Sequence, residues 1–183
     1  MNADFPVLLD TCVLVPPALC DTILRFAERR LFLPRFSSQT LADLEDELTQ
    51  KVGLTPERAK RRVYLIREHF QDAIVGGSEV LIPAITLADQ NRHALAAAVR
   101  AGAEVIVTLN LRDFPTSAVQ PFRVEARHPD RFLIELFDLR PEVIIHSLHE
   151  QAEESNRSLE DLLQILVRVV PDFVILVTGN FDI

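Results

Sequence analysis

The stretch Val7-Leu8-Leu9-Asp10-Thr11-Cys12-Val13-Leu14 constrains the fold most. Three large aliphatic side chains in succession leave no polar face, which suits a strand covered on both sides in a parallel sheet. Asp10 then stands where that strand runs out. In open α/β sheets, ligands bind in the crevice outside the carboxyl ends of the strands. A second apolar run, Glu104-Val105-Ile106-Val107-Thr108, also ends on polar side chains, Thr108 and Asn110, with Asp113 one turn further on.

Between and after these strands the spacing is mostly helical. Residues 18–30 place Leu19, Ile23, Leu24, Phe26 and Ala27 on one face. A short strand over 31–34 follows. Ser37 or Ser38 caps a helix with Leu41, Leu44 and Leu48 as its inner stripe. Of its acids, Asp43 lies at the border of that stripe, where it can point into a cleft. Thr55 and Pro56 open a helix to about Phe70 that holds Arg58, Lys60, Arg61, Arg62 and Arg67. Its basic face is either solvated or a contact for an acidic partner. A short strand is expected at 73–75 and an apolar connection at 81–87. Asp89 is a good N-cap for an alanine-rich helix ended by Gly102. A weak strand over 122–126 precedes helices at 130–139, 141–154 and from 158. The apolar stretch 172–177 suits an added strand or an interface. Strands alternating with helices point to parallel βαβ units.

Composition narrows the class. Of 183 residues, 48% are apolar, enough for a sizeable core in one domain or a domain with an appendage. No apolar run approaches the roughly 18 residues of a membrane span, and Met1-Asn2-Ala3-Asp4 lacks the basic start of a signal peptide. Cys12 and Cys20 sit in apolar surroundings, as expected of reduced, buried thiols in a cytoplasmic protein. Two cysteines at this spacing make no zinc or disulfide scaffold. The net charge of −8 argues against a general nucleic-acid coat. It remains compatible with a nuclease whose divalent ions invert the local sign of the site.

In a doubly wound sheet Asp10, Asp89 with Asn91, and Asn110 with Asp113 would meet at one edge, joined by Asp43. Carboxylates gathered there cannot all ionise cheaply without a counter-ion. Hard oxygen donors suit Mg²⁺ or Mn²⁺, and such ions assist in-line phosphoryl displacement. The residues themselves therefore point to a metal-assisted phosphodiester hydrolase. A dinucleotide binder is disfavoured, because Thr11-Cys12-Val13 offers no glycine for phosphates to approach.

These segments resemble the PIN-domain family. Leu8 to Leu14 looks like its first motif, and Ser37-(x)₃-Leu41-Ala42-Asp43 like its second, with Asp where Glu is usual. Arg92 to Ala98 is similar to the segment after the third acid, and Val105 to Pro115 resembles the fourth motif. His128 to Leu133 looks like the end of the PIN unit in a VapC-type subgroup with a helical C-terminal extension. The resemblance covers about residues 5–138. It implies a Rossmann-like α/β/α sandwich with a central, mainly parallel sheet plus C-terminal helices. It divides the chain into a PIN-like nuclease domain over 1–138 and a helical extension over 139–183. It also implies an endoribonuclease using Mg²⁺ or Mn²⁺, typically a toxin neutralised by an antitoxin and usually dimeric. Carried over, Asp10, Asp89, Asp43 and Asn91 would hold metal, with Asn110 or Asp113 orienting water. Asn91 and Asn110 stand at two nominal acidic positions. Either Asp89 and Asp113 restore the charge and the enzyme is active, or a weakened site leaves a module that acts through RNA or protein binding. His93 and His128 are expected to pack or cap.

Overall fold

The computed structural model describes residues 5–181. Met1–Asp4, the stretch expected to be no signal peptide, lies outside the described residues. The chain runs β1 (Pro6–Leu9), α1 (Thr11–Leu14), α2 (Pro17–Glu28), β2 (Leu33–Ser37), α3 (Ser38–Gln50), α4 (Pro56–His69), β3 (Ile74–Val75) and α5 (Asp89–Ala101). It continues through β4 (Val105–Val107), α6 (Thr116–Val119), β5 (Glu125–Arg127), α7 (Pro129–Leu139), α8 (Pro141–Glu154), α9 (Leu159–Leu166) and α10 (Pro171–Phe181).

The five strands form one sheet in the order β3-β2-β1-β4-β5, and every pairing is parallel. β1 is central, paired through Leu8 to Arg35 of β2 on one side and to Ile106 of β4 on the other. The strand order reverses between β1 and β4, which opens a crevice at their carboxyl ends. β3 pairs only with Phe36 and Ser37. Pro34 therefore lies on a stretch of β2 with a single neighbour, where proline is tolerated.

Side chains of β1 alternate between two cores. Val7 and Leu9 join a large cluster with Phe26, Phe36, Leu41 and Leu44, while Leu8 joins Ile106 in a second cluster under α5. Each such aliphatic side chain contributes about 1.5–3 kcal/mol when buried. Helix α5 presents Ala94, Ala96, Ala97 and Ala98 to the sheet, all fully buried, and these small side chains let its backbone approach closely. It ends at Gly102, whose φ of +66° lies in the left-handed region that glycine adopts without strain. On α4, Arg58, Lys60, Arg61 and Arg67 are exposed, but Arg62 turns inward. Its guanidinium donates to the carbonyls of Leu14 (2.6 Å) and Val15 (3.2 Å), satisfying the end of the short helix α1.

The C-terminal helices share the larger cluster: Leu148, Leu163, Val170, Phe173 and Val177 belong to it together with Phe26 and Phe132. Phe26 and Phe173 meet edge-to-face with centroids 6.5 Å apart. Between α2 and α8 the buried Gln151 accepts from Thr22 Oγ1 (2.8 Å) and donates to the Ala18 carbonyl (3.0 Å). Among the described residues no helix is long and apolar enough to cross a membrane.

Several local expectations are corrected. The second strand lies at 33–37 rather than 31–34, and the fifth at 125–127, because residues 120–122 form a 3₁₀ turn closed by Arg123 at φ +58°. Residues 172–177 form no strand; they lie within α10. The buried positions there, Val170, Phe173, Val174 and Val177, follow helical spacing inside a run too uniformly apolar to display it. Asp89 is no N-cap: Ala88 holds that position and Asp89 is the first helical residue.

Helix α10 has its amino end satisfied from a distance. Asp130 of α7, itself buried, accepts from Phe173 N–H (2.8 Å) and Asp172 N–H (3.2 Å). Replacing a capping carboxylate by alanine costs about 1–2 kcal/mol. Asp130→Ala is therefore expected to lower the unfolding free energy from urea titration by that amount, seen as a lower midpoint with an unchanged slope. Asp130→Asn, which keeps an acceptor oxygen, should lose less.

Candidate active site

A cleft of about 380 Å³ opens at the carboxyl ends of β1 and β4, lined by residues that include Asp10, Cys12, Asp43, Asn91, His93, Asn110 and Asp113. The strand reversal places it there. The chain leaves β1 at Asp10, whose N–H still bonds to the Val107 carbonyl at 3.0 Å. Asp10 then turns into α1, and Oδ1 accepts the Thr11 N–H at 2.9 Å as an N-cap. Oδ2 accepts from Thr108 Oγ1 at 2.7 Å and from Cys12 Sγ at 3.1 Å. Thr108 Oγ1 also accepts the Asn110 N–H at 3.0 Å, and Cys12 Sγ accepts the Leu109 N–H at 3.1 Å. The ends of the two central strands are thus tied through the Asp10 carboxylate, and its orientation is fixed from both oxygens.

The second wall is α3. Ser37 caps it by accepting the Thr40 N–H at 2.9 Å. Gln39, Asp43 and Glu47 follow at four-residue spacing along one face. Gln39 Nε2 donates to Asp43 Oδ1 at 2.7 Å, and His93 Nε2 lies 3.2 Å from Asp43 Oδ2. Lys51 at the rim pairs with Glu47 at 2.9 Å, which raises the Lys51 pKa above its ordinary value.

The third wall is the start of α5. Asn91 is 9% exposed, lines the cleft, and its side-chain amide makes no hydrogen bond among the described residues. Among the described residues no buried side-chain polar atom lacks a partner, so the Asn91 amide is open to the cleft, where water or a ligand can reach it. Asp89 does not reach the cleft. Its side chain is 91% exposed and paired with Arg92 at 3.2 Å. Two residues along a helix are a turn of about 200°, so Asn91 and Asp89 face opposite ways. The expectation that Asp89 supplies charge beside Asp10 is corrected accordingly. Asn110 and Asp113 line the remaining side from an exposed turn after β4, joined by the Asp113 N–H to the Asn110 carbonyl at 2.9 Å.

Five of the six expected residues therefore share one cleft: Asp10, Asp43, Asn91, Asn110 and Asp113. Not foreseen as contacts of the site's carboxylates were Cys12, Gln39 and His93, while Thr108 was expected only as a polar end of the second strand. His93 was expected to pack or cap, yet it lines the cleft, and no local spacing signalled this. His128 does cap α7, its Nδ1 accepting the Asp130 N–H.

The donor set fits a hard divalent cation held loosely. Every polar candidate except His93 and Cys12 offers oxygen, and the Asn91 amide is open to the cleft. Among the described residues no three His, Cys, Asp or Glu side chains converge closely enough to cage an ion by themselves. Mg²⁺ is commonly held by one or two carboxylates, water and substrate phosphate rather than by a protein cage.

Cys12 tests the environment of Asp10. Burial and then the Asp10 charge push its thiol pKa up to about 12. The thiolate is the reactive form, so at pH 8 the thiol stays protonated. Iodoacetamide at pH 8 is expected to leave Cys12 unmodified, by mass spectrometry, over a time that fully alkylates free glutathione.

Over 104 residues the chain is 39% identical to a Mycobacterium tuberculosis protein named as a candidate ribonuclease, VapC50. The match covers 55% of this chain and 62% of that protein, so the chain spans about three fifths of its relative's length. No family model matches, and no solved structure matches.

Proposed function

We propose that this chain is a PIN-type endoribonuclease that hydrolyses RNA phosphodiester bonds with Mg²⁺ or Mn²⁺, and that it acts as the toxin of a toxin–antitoxin pair. The observation that carries the proposal is the cleft itself: a carboxylate locked between two strand ends, in a cleft that Asp43, Asn91, Asn110 and Asp113 also line. The name of the matched relative, a candidate ribonuclease, supports the nuclease part of this reading. A cognate antitoxin, a homodimer and a cytoplasmic location belong to the same proposal. So does a nuclease domain over 1–138 with a helical extension over 139–183.

Asp10 and Asp43 would hold the ion, with the Asn91 carbonyl as a neutral third donor. When bound, the ion supplies positive charge for the phosphoryl oxygens and favours deprotonation of water. Asp10 contributes a preoriented carboxylate, since Thr108, Cys12 and the Thr11 N–H fix it before any ligand arrives. Asn110 and Asp113, on the exposed turn, orient the attacking water, and Asp113 is the acceptor for its proton. Phosphate enters a cleft whose own charge is negative, so the cation is needed for binding as well as for the reaction.

Cleavage of a single-stranded RNA with Mn²⁺, read on a gel, tests this. Asp10→Ala is expected to lower the rate about 10²–10³-fold, and Asp89→Ala to leave it within about twofold, as for other exposed positions. Asn91→Asp should tighten Mn²⁺ binding by calorimetry, since ligand charge raises affinity. Cleavage that survives Asp10→Ala would sink the assignment.

A further inference from the structure

A three-member chain runs into the cleft, and the proposed reaction uses only its Asp43 end. Ser37 Oγ lies 2.9 Å from His93 Nδ1, and His93 Nε2 lies 3.2 Å from Asp43 Oδ2. Serine, histidine and aspartate in this order suggest a nucleophilic triad, but the arrangement opposes it. Ser37 is 3% exposed, caps α3 and sits against Thr40 Oγ1 at 2.9 Å. The hydroxyl is thus the buried end and the carboxylate is the end at the cleft. A nucleophile would need the reverse.

We infer that His93 is a positioning residue for Asp43. It joins three elements: Ser37 at the end of β2, Asp43 on α3 and its own helix α5. An ionised carboxylate only accepts hydrogen bonds, so Nε2 must carry the proton that faces Asp43. In the neutral ring Nδ1 is then the acceptor, and the Ser37 hydroxyl donates to it. The side chain is 14% exposed, and the ring is held at both nitrogens. Gln39 holds Oδ1 while His93 holds Oδ2. Each carboxylate oxygen keeps a free lone pair, and the two bonds prevent the side chain from swinging out along α3 toward solvent. Partners of this kind orient ligating groups, and their removal typically costs 10–100-fold in metal affinity or activity. The inference rests on the reading of Asp43 as a ligand.

Two measurements test it. Nitrogen-15 spectra of the imidazoles in metal-free protein should show His93 Nε2 protonated; an unprotonated Nε2 would overturn the inference without reference to metal. Calorimetry with Mn²⁺ alone should then show His93→Ala weakening binding by about tenfold. His93→Gln, whose amide N–H reaches the same place, should recover most of the loss. In an Asp43→Ala background, His93→Ala should have no further effect on Mn²⁺ binding or RNA cleavage. A loss that persists undiminished in that background, or no loss in the wild-type background, overturns the positioning role while the proposed function stands. A wild type that binds no Mn²⁺ and cleaves no RNA removes the proposed function, and with it the role assigned to His93.

Discussion

Burial of β1 on both faces governs what the rest of the molecule can do. Val7, Leu8 and Leu9 are fully enclosed, two of them beneath helices on one side of the sheet and one beneath α5 on the other. No polar group is tolerated along such a strand without a partner. Asp10 is the first position past it where a charge can exist, and both its oxygens are at once engaged by Thr11, Cys12 and Thr108. The neighbouring strand β4 ends at the same level, so the tie between Thr108 and Asp10 closes the sheet edge and orients the carboxylate in a single contact. Strand order does the remainder. Because the chain moves outward from β1 in both directions, helices α3 and α5 flank the same opening and bring Asp43 and Asn91 to it.

The charge of the site is set by neutral neighbours as much as by acids. Cys12, Thr108, Gln39 and His93 all contact carboxylates, and none need bring a formal charge. Such partners fix orientation without neutralising. A cluster built this way keeps its attraction for a cation, whereas a lysine or arginine in the same positions would cancel it. Two arginines of the flanking helices are occupied elsewhere: Arg92 with Asp89 and the Leu87 carbonyl, Arg62 with the end of α1.

The sheet and the first acid were legible in the sequence because their cause is local. Uninterrupted apolar runs that stop at Asp10 and Thr108 state both burial and edge. The alanines of α5 and the caps Ser37, Thr55 and Ser158 were readable for the same reason. Three things were not. Asp89 has the composition of a ligand and of a cap, and only the helix phase, fixed by Ala88, shows that it is neither. Residues 173–177 carry no polar residue to mark a period, so strand and helix were equally compatible. His93 bridges β2 and α3 through contacts 50 or more residues away in sequence, and no local pattern encodes that meeting.

Asp130 carries a consequence for how the molecule is made. The receptor for the amino end of α10 lies 42 residues earlier in the chain. During synthesis the carboxylate and the surface formed by Phe26 and Phe132 exist before the last helix has emerged. That helix therefore arrives at a prepared seat, and until it arrives a buried acceptor stands open beside a bare aromatic surface. The final segment works as a closing plug: chains cut short of it would expose what the rest of the fold was shaped to hide.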